Sequence, residues 1–193
     1  MYLIIKINPN FYEEDYNEVI LGLQEKQALK FYPLFNSGKK INTESPLIFE
    51  SGSDLVLAEK YLKLDLLPAN PLLVSAKFGV LIKNHCNDSI ELIPAVIKNG
   101  SKIHANYYAI NILKVVDCID FSRSDVYRML PSDPSSPLVI NRVIFKDGGL
   151  HGVDIATAKD GAEFSLASIG FSDLCRKQGI TGIDFFPNEI SKN

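Results

Sequence analysis

Three histidines, His85, His104 and His151, are the side chains of this 193-residue chain best suited to moving protons near neutral pH. His151 stands three residues before Asp154, and a carboxylate at that spacing can orient an imidazole as a general base. His104 stands near Asn106 and Tyr107. A hydrolase using His104 or His151 with Asp154 therefore merits weighing, but no nucleophile motif accompanies either histidine. The chain contains no Gly-x-Ser-x-Gly, no Gly-rich phosphate loop and no His-Glu-x-x-His. Surface or half-buried histidine is the plainer expectation, and no catalytic residue is assigned.

Cysteine offers no better chemistry. Cys86, Cys118 and Cys175 are odd in number and far apart, without Cys-x-x-Cys or Cys/His ligand spacing. Neither a metal nor a cofactor is expected. Cys118 lies between Asp117 and Asp120, whose negative charge raises a thiol's pKa rather than activating it. Reduced cysteines, two of them buried, are the expectation.

Carboxylates gather in two places. Phe11, Tyr12, Glu13, Glu14, Asp15, Tyr16 and Glu18 form the densest acidic and aromatic run, and Asp117, Asp120 and Asp125 a second cluster around Arg123. Aromatics that bury and carboxylates at a rim suit a protein partner carrying basic charge. These ten residues are the candidate partner-binding set.

Composition is that of a soluble globular protein. Apolar residues make up 46% and charged residues 22%, enough to bury a full core. The net charge of −3, with no basic block, argues against a nucleic-acid partner. No apolar run approaches the length of a membrane span, and the opening Met1-Tyr2-Leu3-Ile4-Ile5-Lys6 reads as a strand rather than a signal peptide.

The elements holding these residues read as strands more often than helices. Asn99-Gly100 between two β-rich runs predicts an antiparallel hairpin over 90–98 and 103–116. Residues 19–35 read as strand, turn, strand, although Gln24 to Ala28 favour helix. Asp65 to Pro71, with two prolines, reads as a connector. One pattern occurs twice: without a gap, Ser75, Phe78, Leu81, Ile90, Glu91 and Pro94 match Ser168, Phe171, Leu174, Ile183, Asp184 and Pro187. Each copy reads as a strand, a Ser N-cap, a helix with Phe and Leu on one face, and a strand closed by Pro. The expectation is an α+β fold: a mixed, largely antiparallel sheet with two short helices in a pseudo-repeated strand-helix-strand unit. A single domain over 1–193 would have a β-rich part, 1–66, and a second part, 67–193, with units 71–94 and 164–187.

Several of these motifs occur together in a known order. Pro71-Leu72-Leu73-Val74-Ser75-x-x-Phe78 and Ile90-Glu91-Leu92-Ile93-Pro94 are followed by Tyr107-Tyr108-Ala109-Ile110-Asn111. Then come Cys118-Ile119-Asp120-x-x-x-Ser124 and Gly179-Ile180-Thr181-Gly182-Ile183-x-Phe185. This order, over about residues 65 to 190, resembles a bacterial immunity-protein family of polymorphic toxin systems. The resemblance implies a small cytoplasmic protein that is not an enzyme. Its partner would be a cognate toxin, secreted or delivered by contact and encoded by an adjacent gene. Inhibition would be stoichiometric, by occlusion of the toxin's active site. The alternatives are the hydrolase above or a non-catalytic scaffold. The family's shared residues look structural: Ser75 and Ser168 as caps, and Asp120 with Ser124 fixing a turn or helix start.

Overall fold

The computed structural model describes residues 2–7, 21–51, 59–86, 88–133, 136, 138–150, 152–159, 161–186 and 189–191. The chain opens with β1 (Tyr2–Ile7), β2 (Leu21–Leu23), α1 (Glu25–Phe31), β3 (Leu47–Ser51), β4 (Leu66–Leu67) and β5 (Ala69–Asn70). Next come β6 (Leu73–Ser75), α2 (Ala76–His85), β7 (Ile90–Asn99), β8 (Lys102–Ile112), β9 (Val115–Val116) and β10 (Asp125–Arg128). It finishes with β11 (Leu138–Ile144), β12 (Ile155–Ala158), β13 (Gly161–Ser168), α3 (Ile169–Lys177), β14 (Ile183–Phe186) and β15 (Glu189–Ser191). The fold is α+β, mostly sheet. Parallel pairs β3–β7, β2–β5 and β12–β9 make the sheets mixed among otherwise antiparallel neighbours.

Three α-helices form among the described residues where two were expected. The third, α1, replaces the anticipated turn and second strand in residues 19–35. Glu25, Lys26, Gln27, Ala28, Leu29 and Lys30 are all good helix formers, and Phe31 supplies a buried anchor. The Asn99-Gly100 hairpin forms as expected, with Asn99 opposite Lys102 and Gly100 at φ 62°. The strand candidate at Leu55–Leu57 lies outside the described residues.

The largest sheet runs β4-β6-β8-β7-β3-β2-β5, and its two outer strands are separated in the chain only by Pro68. Leu66 and Leu67 pair with Val74 and Leu73, while Ala69 and Asn70 pair with Leu21 and Gly22. One short segment therefore joins both edges, and the sheet closes into a ring. Leu47, Phe49, Leu67, Leu73, Ile93, Ile97 and Ala109 fill it, with Phe31 of α1. Period-2 alternation sends the other set of side chains outward.

Those outward residues meet both long helices. Val74, Ile90, Ile110 and Ile112 from the ring, and Ile155, Ala167 and Ile183 from the second sheet, enclose Phe78, Ile82, Phe171 and Cys175. Phe78 and Phe171 stack with ring centroids 6.3 Å apart. Burying such a ring stabilises the fold by about 1.5–3 kcal/mol. The second sheet, β14-β1-β13-β12-β9, packs its far face on Val143, Phe145 and Leu150, beside the small sheet β10-β11-β15.

Both helices are entered alike. Ser75 Oγ accepts the Phe78 N–H at 3.2 Å, and Ser168 Oγ accepts the Phe171 N–H at 3.0 Å. Each serine also donates its hydroxyl to an aspartate: Ser75 to Asp65 Oδ1 (2.7 Å), Ser168 to Asp154 Oδ1 (2.6 Å). Each donates its N–H to that same aspartate's carbonyl, at 2.9 Å in both places. The strand registers also correspond. β8 lies antiparallel between β6 and β7, and β1 lies antiparallel between β13 and β14. Ser75 faces Tyr107 and Ile90 faces Ile112; Ser168 faces Tyr2 and Ile183 faces Ile7. Pro187 lies outside the described residues.

Candidate partner-binding surface

Of the candidate set, Phe11, Tyr12, Glu13, Glu14, Asp15, Tyr16 and Glu18 lie outside the described residues. Asp117, Asp120 and Asp125 sit on the connection into β10 and on its first residue. Their charges are mostly occupied. Asp117 is exposed and pairs with Lys146 Nζ at 3.0 Å. Asp120 accepts from Ser122 N–H and Oγ and from Arg123 Nε, at 3.1, 2.6 and 2.7 Å. The hydrogen bonds from Ser122 and Arg123 hold its carboxyl at about 2, so Asp120 is the organiser of a turn. Ser124 closes the same turn, donating its hydroxyl to Asp120 O at 2.7 Å. Asp125 accepts from Asn141 Nδ2 at 3.1 Å.

Sequence reading missed the apolar residues around these carboxylates. Phe121, Tyr127, Met129 and Leu130 are all exposed, Tyr127 by 51% and Met129 by 62%. The signal was the alternation of Asp125 and Tyr127 with Val126 and Arg128, which puts the first two on one face of the outer strand β10, with Met129 just beyond its end. Tyr and Met on an exposed edge beside arginines match the composition of protein-binding surfaces.

The histidines form no proton-transfer pair among the described residues. His104 lies on β8 opposite Ile97, half-buried, with Nε2 enclosed and without a hydrogen-bond partner among the described residues. Asp154 is engaged by Ser168, His85 is exposed at the end of α2, and His151 is outside the described residues. All three thiols are buried. Burial pushes Cys86 and Cys175 up to about 12; burial, then the Asp117 charge, pushes Cys118 to about 11. No group of three or more His, Cys, Asp and Glu among the described residues is placed to hold a metal ion. Among the described residues no helix is long and apolar enough to cross a membrane.

Ser75 and Thr181, two of the motif residues, meet at a buried carboxylate that ties the entry of α2 to the turn after α3. Asp65, 6% exposed, accepts from Thr181 N–H (3.0 Å), Thr181 Oγ1 (3.2 Å) and Lys77 Nζ (3.1 Å) besides Ser75. Burial opposes its charge, but the hydrogen bonds from Ser75, Thr181 and Lys77 prevail and lower its pKa. Lys77 also donates to Gly179 O at 2.7 Å. Gly182, at φ +80°, leaves no room for a Cβ against the Leu66 carbonyl.

The family model described as "Immunity protein family (Imm11)" matches residues 65–189, close to two thirds of the chain. The chain belongs to the Imm11 immunity protein family. Among curated proteins no match is found. The Imm11 match runs from Asp65, the acceptor at the junction of the two units, to the first residue of β15. It takes in every residue of the Asp65–Ser75–Lys77–Thr181 network. It also takes in Asp117, Asp120 and Asp125, but not the acidic segment 11–18.

Proposed function

We propose that this Imm11 protein binds a cognate toxin and blocks it by covering its active site, in the cytoplasm of the cell that makes both. Membership of the immunity family carries the reading. The motif residues support it by being spent on caps, turns and junctions, which suits a rigid binding scaffold rather than a reaction centre. Inhibition is stoichiometric, the toxin is encoded beside this chain, and the protein performs no catalysis of its own. A tight pair of this kind buries about 1,600 Å² in total.

The proposed contact set is Phe11, Tyr12, Glu13, Glu14, Asp15, Tyr16 and Glu18, then Asp117, Asp120 and Asp125. The exposed Tyr127 and Met129 favour the second group, because apolar anchors inside a charged rim supply affinity. We take the scaffold as a single domain, since β2 and β3 share a sheet with β4 to β8 and β1 lies inside the second sheet. We read its two Ser-capped strand-helix-strand units as copies of one plan, a reading supported by their matching caps and registers.

Co-expression tests the function. The product of the adjacent reading frame should arrest growth alone, and this chain should restore growth and co-purify with it in a one-to-one complex. A harmless neighbour, or a toxic one that is neither rescued nor bound, sinks the proposal.

A further inference from the structure

The ring sheet is split at one point. β3 accompanies β7 only from Ala95 to Lys98, where Leu47 faces Ala95 and Glu50 faces Lys98. Before Leu47 the chain at 41–46 diverges, so residues 90–94 of β7 pair with β8 alone. The fork is bridged at its far end by Ile41 N–H donating to Glu91 Oε2 at 2.8 Å.

The backbone direction inside the fork follows from its neighbours. Ile110 donates its N–H to Leu72 O at 2.9 Å, away from β7. In an antiparallel pair, opposite residues turn their peptide groups together, either toward each other or apart. Leu92 stands opposite Ile110, so its N–H and C=O face the fork rather than β8. Leu92 is an open rung of sheet edge.

Two cavities flank that rung, and Leu92 lines both. On the ring side is a groove of about 660 Å³, walled by Lys26 and Lys30 of α1 and by Asn42 to Ser45. On the α2 side is a cavity of about 340 Å³, lined by Val80, Ile82, Ile90 and Tyr108 with Lys83 at its edge. Their chemistry differs. Lys26 and Lys30 lie one helical turn apart, exposed, with no ion pair among the described residues. Of the groove's carboxylates, Glu91 is already held by Ile41 N–H and Asn111 Nδ2, which leaves Glu44 at the rim. The α2 cavity offers an apolar floor.

We infer that this fork seats one extended segment of the toxin, an apolar residue flanked by acidic ones, as an added strand beside Leu92. The inference rests on the immunity reading and names where contact is made. An added strand sends successive side chains to opposite faces, so the apolar one enters beside Val80 and its neighbours meet Lys26 and Lys30. A second copy of this chain is a poorer occupant. Pro94 has no N–H, which shortens the ladder available to an identical edge.

The probe is the catalytically inactivated product of the adjacent reading frame, titrated into the intact protein by calorimetry. Val80→Glu and the pair Lys26→Glu, Lys30→Glu change exposed side chains and should keep the native circular dichroism spectrum. Each should weaken binding at least tenfold, and the lysine reversals should also flatten its salt dependence. In the unmutated protein, toxin should protect the Leu92 amide from hydrogen exchange, a readout independent of any variant's folding. Full-strength binding by both variants, or an unprotected Leu92 amide in a saturated complex, overturns the inference while leaving the immunity reading intact. Self-association abolished by Val80→Glu with toxin affinity unchanged would assign the fork to a second copy and overturn it too. A wild-type protein that binds no toxin removes both readings together.

Discussion

Asp65 and Thr181, 116 residues apart in the chain, hold each other by both backbone and side chain. Asp65 N–H donates to Thr181 Oγ1 at 3.1 Å, while Thr181 N–H and hydroxyl donate to Asp65 Oδ2 at 3.0 and 3.2 Å. The same carboxylate receives Ser75 and Lys77. A charge this enclosed is tolerated only while its donors remain, so the contact fastens the start of the first helical unit to the end of the second.

Replacing Asp65 by Ala should therefore cost about 2–4 kcal/mol in urea unfolding, because the Ser75 and Thr181 donors lose a charged acceptor. The pH dependence has a definite sign. The folded pKa lies below the ordinary carboxylate value, so the contribution is complete above about pH 4 and is lost as pH falls toward the folded value. Asp65→Asn should flatten that acid limb. A limb of unchanged steepness would assign the acid sensitivity to other carboxylates.

Ser75→Ala and Ser168→Ala should each lower stability by about 1–2 kcal/mol, the upper part of the range for losing an N-cap. Each also strips a donor from an aspartate, so the losses should exceed those at an isolated surface cap. Thermal unfolding of the two variants is the check, and Ser→Asp should not rescue either, because a second carboxylate would face Asp65 or Asp154.

The thiols should be silent in the native protein. With Cys86 and Cys175 held near 12 and Cys118 near 11, thiolate is scarce at pH 8, and all three are buried. A chromogenic disulfide reagent should titrate none of them at once and all three in guanidinium. Rapid reaction of any one under native conditions would contradict the burial.

Reversing Glu13, Glu14 and Asp15 to Lys should weaken toxin binding and slow association, with a smaller dependence on ionic strength. Stopped-flow association at two salt concentrations reads both effects. Unchanged rates would remove segment 11–18 from the interface.

The sequence made some features easy to read and others not, for physical reasons. The Ser75 and Ser168 caps and the Asn99-Gly100 hairpin are local: the residues that cause them lie within a few positions of the effect. Helix α1 was ambiguous because Phe31 and Leu34 are apolar in either conformation, and the deciding contacts come from the ring core. Residues 65–71 read as a connector because two prolines signal a break. Their pairing with β2 on one side and β6 on the other depends on strands far away in sequence. The fork beside Leu92 had no sequence signal, since it arises from where β3 begins. The acidic cluster at Asp117 to Asp125 was visible as composition, but Lys146 and Asn141, which occupy two of its members, are 29 and 16 residues distant.

The placement of β1 sets a schedule for synthesis. β1 leaves the ribosome long before its neighbours in the sheet, β13 and β14, which follow every strand of the ring in sequence. The second sheet cannot assemble until β14 has emerged, whereas the ring can close once β8 has. A fragment cut to residues 65–189 would leave β13 and β14 facing an empty lane, exposing two strand edges to any other chain that could fill it.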